Sequence, residues 1–199
     1  MIYNCYDAEE RAILRTADQM AAAARTAPKA SGTDHLYCAI IDGPEKAQLA
    51  EAMRKYGAEW GYDFIVRDGN NVDFARCVVI LGMIGQPLGL RDCGYCGHES
   101  CGACVKAGSR CAHNVIDLGI AIGSAVSVAA DNRIDNRVLY SAGRVAAEIG
   151  MVPKGVEVCV GIPLSVTSKS PFFDRGGSDN EAMLAREQER RLKAMAENA

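Results

Sequence analysis

The stretch Cys77-Val-Val-Ile-Leu81 is the segment that says most about the fold. Its five residues are apolar without alternation and include three β-branched side chains. Such a run is typical of a strand whose two faces are both buried. The sequence therefore predicts a central strand here, in a sheet that helices cover on both faces.

The segments before this strand mix helical and extended patterns. Asp7 and Glu10 have the spacing of a capping box, which predicts the start of a helix. Apolar residues recur at helical spacing after them, and the helix should end before Pro28. The prediction is a helix over about 8–26, a strand over 36–41, a helix opened by Gly43-Pro44, a short strand over 62–66 and a turn over 68–71.

After residue 82 the chain becomes rich in glycine and cysteine before regular patterns resume. Beyond it we expect a helix from near 112, a helix over about 136–149 with Asp135 as its N-cap, a strand over 156–162, a loop over 163–177 and a last helix behind Ser178 and Glu181. The predicted architecture is a single α/β (α+β) domain over residues 1–199, with a Cys-rich loop over 82–112 inserted in it.

Composition restricts the function classes. A net charge of −3 gives no basic footprint for nucleic acid. The N-terminus has no basic start followed by an apolar run, so no signal peptide is expected. The apolar stretch over 115–130 is too short and too small in side-chain volume for a membrane span. We expect a soluble, cytoplasmic protein that binds neither nucleic acid nor membrane.

Five of the nine cysteines lie within residues 93–111. An intracellular metal site explains this clustering better than disulfides do. Cys93 and Cys96 form a C-x2-C pair that can chelate one centre, and glycines after Cys93, Cys96 and Cys101 allow tight turns and close approach of amide N–H groups to sulfur. Three thiolates are clear from the spacing, and the fourth is either Cys104 or Cys111.

The spacing leaves the type of centre open. An iron–sulfur cluster fits, and the C-x4-C-x2-C spacing from Cys96 to Cys104 equals the plant-type two-iron spacing, which keeps [2Fe–2S] open beside [4Fe–4S]. A structural zinc site is the alternative, with His98 or His113 as a further candidate ligand.

Several motifs resemble known proteins. The string C-G-Y-C-G-x-x-x-C at 93–101 looks like the core motif of small four-iron domains in electron-transport proteins. Over roughly residues 90–175, the chain resembles an uncharacterised prokaryotic family described as containing a ferredoxin domain, through CGYCGHESC, CAHNVIDLGIAIGSAV, DNRVLYSAGRVAAEIGM and GIPLSVTSKSPFFDR. The resemblance implies a cluster of the [4Fe–4S] type, with ligands Cys93, Cys96, Cys101 and Cys111 and with Cys104 as the alternative ligand.

The first half is similar to the nitroreductase family of FMN-binding α+β homodimers. The similarity lies in the order of a long helix, ARTAPKASG, a strand, the GPEKAQLAEAM helix and CVVIL, and in the GIP at 161–163. It implies a nitroreductase-like sheet and a homodimer. The arginine-rich start that holds the FMN phosphate in that family is absent, since Arg11 and Arg15 do not match it, and the fold can be shared without the flavin.

Four cations are candidates for binding a cofactor phosphate: Arg133, Arg137, Lys169 and Arg175. The alternative for the two Asp-Asn-Arg repeats is helix capping and ion pairing. Two functions follow. One is an iron–sulfur redox protein that exchanges electrons with a partner protein or small-molecule acceptor, and that becomes an FMN-dependent oxidoreductase if flavin binds. The other is a binding module with a structural four-cysteine zinc site.

Overall fold

The computed structural model describes residues 4–173 and the single positions 185, 189, 192, 193 and 196. Its elements are α1 (Cys5–Thr26), a 3-10 turn (Ala30–Gly32), β1 (Leu36–Ile41), α2 (Gly43–Trp60), α3 (Asp63–Phe74), β2 (Cys77–Ile84), α4 (Cys101–Lys106), α5 (Ala112–Asp131), β3 (Asp135–Asn136), α6 (Tyr140–Glu148) and β4 (Val156–Ser165). The predicted capping box at 178–181 lies outside the described residues.

The four strands form one antiparallel sheet in the order β1-β2-β4-β3. β2 is central, with Ile80 opposite Ala39 of β1 on one side and Gly161 of β4 on the other. Every residue of β2 from Cys77 to Met83 is buried. The predicted central strand and the α/β class with helices on both faces are confirmed.

The unbroken apolar run of β2 is explained by two separate cores. Its odd-numbered side chains, such as Val79 and Leu81, pack with α1 and α5, whereas Val78 and Ile80 pack with α2, α3 and α6. Because side chains alternate across a strand, both faces must be apolar when both are covered. Each such side chain contributes about 1.5–3 kcal/mol when fully buried.

Helix α6 lies unusually close to β4. A Cβ placed on Gly143 would come within 2.1 Å of the carbonyl oxygen of Cys159. The Cys159 thiol in turn donates a hydrogen bond to the Gly143 carbonyl at 3.0 Å. The helix can therefore approach the strand this closely because residue 143 has no side chain.

The prediction of a strand over 62–66 and a turn over 68–71 is wrong, because α3 begins at Asp63, directly after its N-cap Tyr62, and includes the whole of 68–71. This helix packs against α2 through small residues. A Cβ on Gly69 would lie 3.0 Å from the Ala50 carbonyl oxygen, and one on Gly57 would lie 2.7 Å from the Val66 nitrogen. Glycine therefore serves helix–helix contact here and not a turn.

The helix predicted over about 136–149 begins four residues later, at Tyr140. Asp135 and Asn136 instead form β3, opposite Ser165 and Leu164 of β4. Asp135 is therefore not the N-cap, and its side-chain oxygen accepts a hydrogen bond from the Asn136 N–H at 3.0 Å.

Helix α5 leads from the cysteine-rich segment across the sheet and packs against α1. By length and composition it is apolar enough to cross a membrane, a property that core helices of globular proteins share. Its inner face carries Asp117, which accepts hydrogen bonds from the Ala30 N–H at 3.0 and 3.1 Å. This contact fastens the 3-10 turn to α5.

Candidate metal centre

The cysteine-rich segment connects the end of β2 to the start of α5. From 85 to 100 the chain has neither helix nor strand. Gly94 and Gly97 both have positive φ angles, +67° and +81°, and the Gly97 N–H donates to the Gly94 carbonyl at 2.9 Å. The tight turn expected after Cys93 is thus present, and it brings the chain back toward α4.

Two contacts fix this segment to the sheet. Asn114, buried in the first turn of α5, donates to the carbonyls of Ile84 at 3.3 Å and Gln86 at 2.8 Å. Arg110 forms an ion pair with Glu157 of β4 at 2.8 Å. Both ends of the segment are therefore held against regular structure.

All five clustered cysteines line one pocket that contains about 330 Å³ of space, part of it open to solvent. The residues that line it with them include Pro87, Leu88, Leu90, Tyr95, His98 and His113. The structure therefore brings together the candidate ligands and the two histidines of this segment.

Cys104 differs from the other four thiols. It is 1% exposed, whereas Cys93, Cys96, Cys101 and Cys111 are each partly exposed. Its Sγ donates to the Ser109 carbonyl at 3.4 Å. Burial raises the pKa of the Cys104 thiol, and the neighbouring thiols, Cys96 foremost, raise it further.

Two of the other cysteines, Cys101 and Cys111, lie at the N-terminal ends of helices. Ser100 caps α4 by accepting from the Ala103 N–H at 3.2 Å, which places Cys101 at the first position of that helix. Cys111 is the N-cap residue of α5. The positive end of a helix dipole favours a thiolate at this position.

The two histidines have different partners. His113 Nε2 lies 3.4 Å from Cys93 Sγ, and its ring stacks on Tyr95 with centroids 5.2 Å apart. His98 Nε2 lies 2.8 Å from the Ser109 hydroxyl. The spacing suggested His113 only as a zinc ligand, because nothing in the sequence shows that the first turn of α5 returns to a cysteine twenty residues earlier.

The donor set fits an iron–sulfur cluster, because such clusters take four cysteine thiolates and here five thiols face one pocket. A single ion has a different requirement, since four sulfurs must converge to about 2.3 Å from one point. Among the described residues, no three Cys, His, Asp or Glu side chains are arranged to hold one metal ion.

The three candidate phosphate-binding cations that the structure describes, Arg133, Arg137 and Lys169, do not line this pocket. Arg137 donates to the Phe172 carbonyl at 2.7 Å and lies 4.9 Å from the centre of the Phe173 ring, so it fastens the segment after β4. Arg133 and Lys169 are exposed, and Arg175 is outside the described residues. A second pocket lies beside Arg110 and Glu157. Neither this pocket nor the cysteine pocket is lined by Arg133, Arg137 or Lys169.

Comparison with known proteins gives a family. The model of a family described as uncharacterised proteins containing a ferredoxin domain matches residues 107–175. An uncharacterised protein of Archaeoglobus fulgidus is 38% identical over 183 residues, which are 88% of this chain and 98% of the relative.

The chain belongs to this family. Membership supports a redox role in general terms, since the family is described by a ferredoxin domain. The match begins at residue 107, later than the resemblance that starts near residue 90, so it includes Cys111 and not the four cysteines before it.

Solved structures of nitroreductases share the fold. One from Desulfitobacterium hafniense with bound FMN has a TM-score of 0.54 at 16% identity, covering 81% of this chain and 82% of its own. An FMN-dependent nitroreductase from Mycobacterium smegmatis in complex with NADPH has a TM-score of 0.53 at 15% identity, and the match covers 82% of this chain and 85% of the enzyme. The nitroreductase-like fold is thereby confirmed.

Proposed function

We propose that this protein is an iron–sulfur redox protein that holds a [4Fe–4S] cluster through Cys93, Cys96, Cys101 and Cys111. The observation that carries the proposal is the pocket lined by five thiols. In a four-iron cluster each thiolate binds its own iron, so the sulfurs surround the cluster instead of meeting at one atom. A pocket with sulfurs on its wall suits that requirement.

Cys104 is proposed as the spare thiol. Its burial and its S–H bond to the Ser109 carbonyl favour the protonated form, which does not bind metal. Cys111 has the opposite setting at the start of α5. The contrast favours Cys111 as the fourth ligand and leaves Cys104 as the alternative.

When bound, the cluster supplies one-electron transfer at the surface of the chain. The chain's residues hold it and control access to it. Pro87 and Leu88 line the pocket, and Tyr95, which is 71% exposed, offers an aromatic surface beside it. A redox partner protein or small-molecule acceptor would approach at this surface.

Iron and acid-labile sulfide analysis of anaerobically purified protein tests the proposal. We expect about four irons and four sulfides per chain, with the brown colour of a cluster. One equivalent of zinc in a colourless sample would instead establish the structural zinc site, and the protein would then be a binding module without redox work.

A flavin-linked reductase is a second candidate, favoured by a fold shared with FMN-binding enzymes. In that case FMN would be a second redox cofactor, able to exchange electrons with the cluster. Purification with FMN present, followed by denaturation and detection of released chromophore, tests this version. Release of no flavin would leave an electron carrier or sensor.

We also propose a homodimer in the cytoplasm. The outer face of α5 carries no charged side chain before Asp131, its last residue, and exposes Ile116 (48%) and Ile120 (41%), which suits contact with a second copy. Ile120→Arg should convert the dimer to a monomer in light scattering. Phe64→Arg, at a similarly exposed apolar position on α3 (40%), is the control and should leave the dimer intact.

A further inference from the structure

We propose that His113 donates a hydrogen bond from its Nε2–H to the sulfur of Cys93 and thereby sets the reduction potential of the centre. The inference rests on the proposed function, because it requires a cluster at Cys93. His113 is a positioning residue: it acts through a ligand and does not itself bind iron.

The contact has suitable geometry for this role. The distance from Nε2 to Sγ is 3.4 Å, within the range of hydrogen bonds to sulfur, and the ring is partly buried. Because a metal-bound thiolate has no proton to donate, the hydrogen must lie on the imidazole nitrogen. The direction of the bond follows once Cys93 is a ligand.

The orientation of the ring is fixed from two sides. Tyr95 stacks on it with an interplanar angle of 14°, and Tyr95 belongs to the same turn as Cys93. The helix turn that carries His113 is held by Asn114, whose amide donates to the carbonyls of Ile84 and Gln86. The direction from which the N–H approaches the sulfur is therefore set by the Tyr95 ring and by the anchored first turn of α5.

A hydrogen bond to a cluster sulfur favours the reduced state. Reduction adds negative charge to the cluster and its sulfurs, and a donor at the sulfur stabilises that charge. Loss of the donor should therefore make the cluster harder to reduce, while the four thiolates remain in place.

His98 provides a matched control. It is the same residue type, lines the same pocket and is partly buried, but its described hydrogen bond joins Nε2 to the Ser109 hydroxyl. If general polarity of the pocket set the potential, both histidines would matter equally. If the N–H to Cys93 sets it, only His113 will.

The test is the midpoint potential of clusters with verified iron and sulfide content. His113→Phe keeps a ring to stack on Tyr95 and removes the donor, so the ratio of reduced to oxidised cluster at a fixed potential should fall about tenfold, a shift of about 59 mV for a one-electron couple. His113→Gln, which keeps an N–H, should restore most of it, and His98→Phe should leave the potential unchanged.

A second measurement needs no substitution at residue 113. The chain has three histidines, so labelling histidine with ¹⁵N and recording hyperfine spectra of the reduced cluster should detect one weakly coupled nitrogen that persists in His98→Phe. A loaded wild type without that coupling, or an unchanged potential in loaded His113→Phe, would overturn this inference alone. A wild type that holds no iron or sulfide would overturn the proposed function and the inference with it.

Discussion

The thiol of Cys104 donates a hydrogen bond to the carbonyl oxygen of Ser109, with 3.4 Å between the sulfur and the oxygen. Four other cysteines face the same pocket without being so deeply buried. Burial and this hydrogen bond distinguish Cys104 from the other four thiols, and the proposed ligand set rests on that contrast.

Cys104→Ser should keep its iron, whereas Cys111→Ser should lose most of it. A serine at 104 can still donate to the Ser109 carbonyl, but loss of a ligand should weaken metal binding by at least the roughly 10–100-fold seen for supporting residues. Iron and sulfide per chain after identical reconstitution are the measurement. The reverse pattern would assign Cys104 as the fourth ligand.

Cysteine alkylation should separate the pocket thiols from the strand thiols. Burial raises the pKa of Cys77 to about 12 and that of Cys159 to about 11, so at pH 8 these thiols are almost wholly protonated and unreactive. In folded, metal-free protein, peptide mass spectrometry should show iodoacetamide modifying Cys93 and Cys111 well before Cys77. Rapid modification of Cys77 in folded protein would contradict the two-faced burial of β2.

The same assay has an expected dependence on the cluster and on pH. Loading the cluster should protect Cys93 and Cys111 while leaving an exposed cysteine such as Cys5 reactive. Because burial raises the pKa of Cys159 to about 11, its alkylation in folded protein should speed up about tenfold for each pH unit between pH 8 and pH 10.

Gly143→Ala should destabilise the fold by about 1–3 kcal/mol, the usual cost of overpacking. The added methyl would meet the Cys159 carbonyl oxygen at 2.1 Å, so α6 must move away from β4. Urea denaturation measures this free energy. The matched control in the same helix is Ala147→Gly, an exposed position where only the lower helix propensity of glycine acts, at a cost of about 0.5–1 kcal/mol. A stabilised Gly143→Ala would show that α6 does not contact β4 so closely.

Ser141→Ala should cost about 1–3 kcal/mol, because it removes a hydrogen bond to a buried carboxylate. The Ser141 hydroxyl donates to Asp68 at 2.6 Å, and both residues are buried between α6 and α3. Thr26→Ala at the exposed end of α1, where the hydroxyl donates to the Ala23 carbonyl, is the control and should change the free energy of unfolding by less than about 0.5 kcal/mol. Equal effects would mean that the buried bond contributes little.

The strands that carry the sheet could be predicted from the sequence because their information is local. Cys77–Leu81 and the run over 36–41 are apolar, β-branched and bounded by turn residues, and both lie in strands. The clustering of thiols is likewise indicated by local sequence, since the glycines between the cysteines allow the chain to turn back on itself, as it does at Gly94 and Gly97.

The errors arose where distant contacts decide local structure. Asp68-Gly-Asn-Asn reads as a turn in isolation, but burial of Ile65 and Val72 against α2 makes it helical. Asp135 resembles a helix cap until its pairing with Ser165 is known. The approach of His113 to Cys93 belongs to the same class, because it depends on how α5 leaves the sheet.

The central strand β2 leads into the cysteine segment, and that segment leads into α5, which packs against α1 in one of the two cores. The fold is therefore held together by buried apolar side chains on both faces of the sheet and does not need a metal. Under the proposed function, a chain built this way should keep its structure after oxidative loss of iron, so that the empty pocket can be reloaded without an unfolded intermediate.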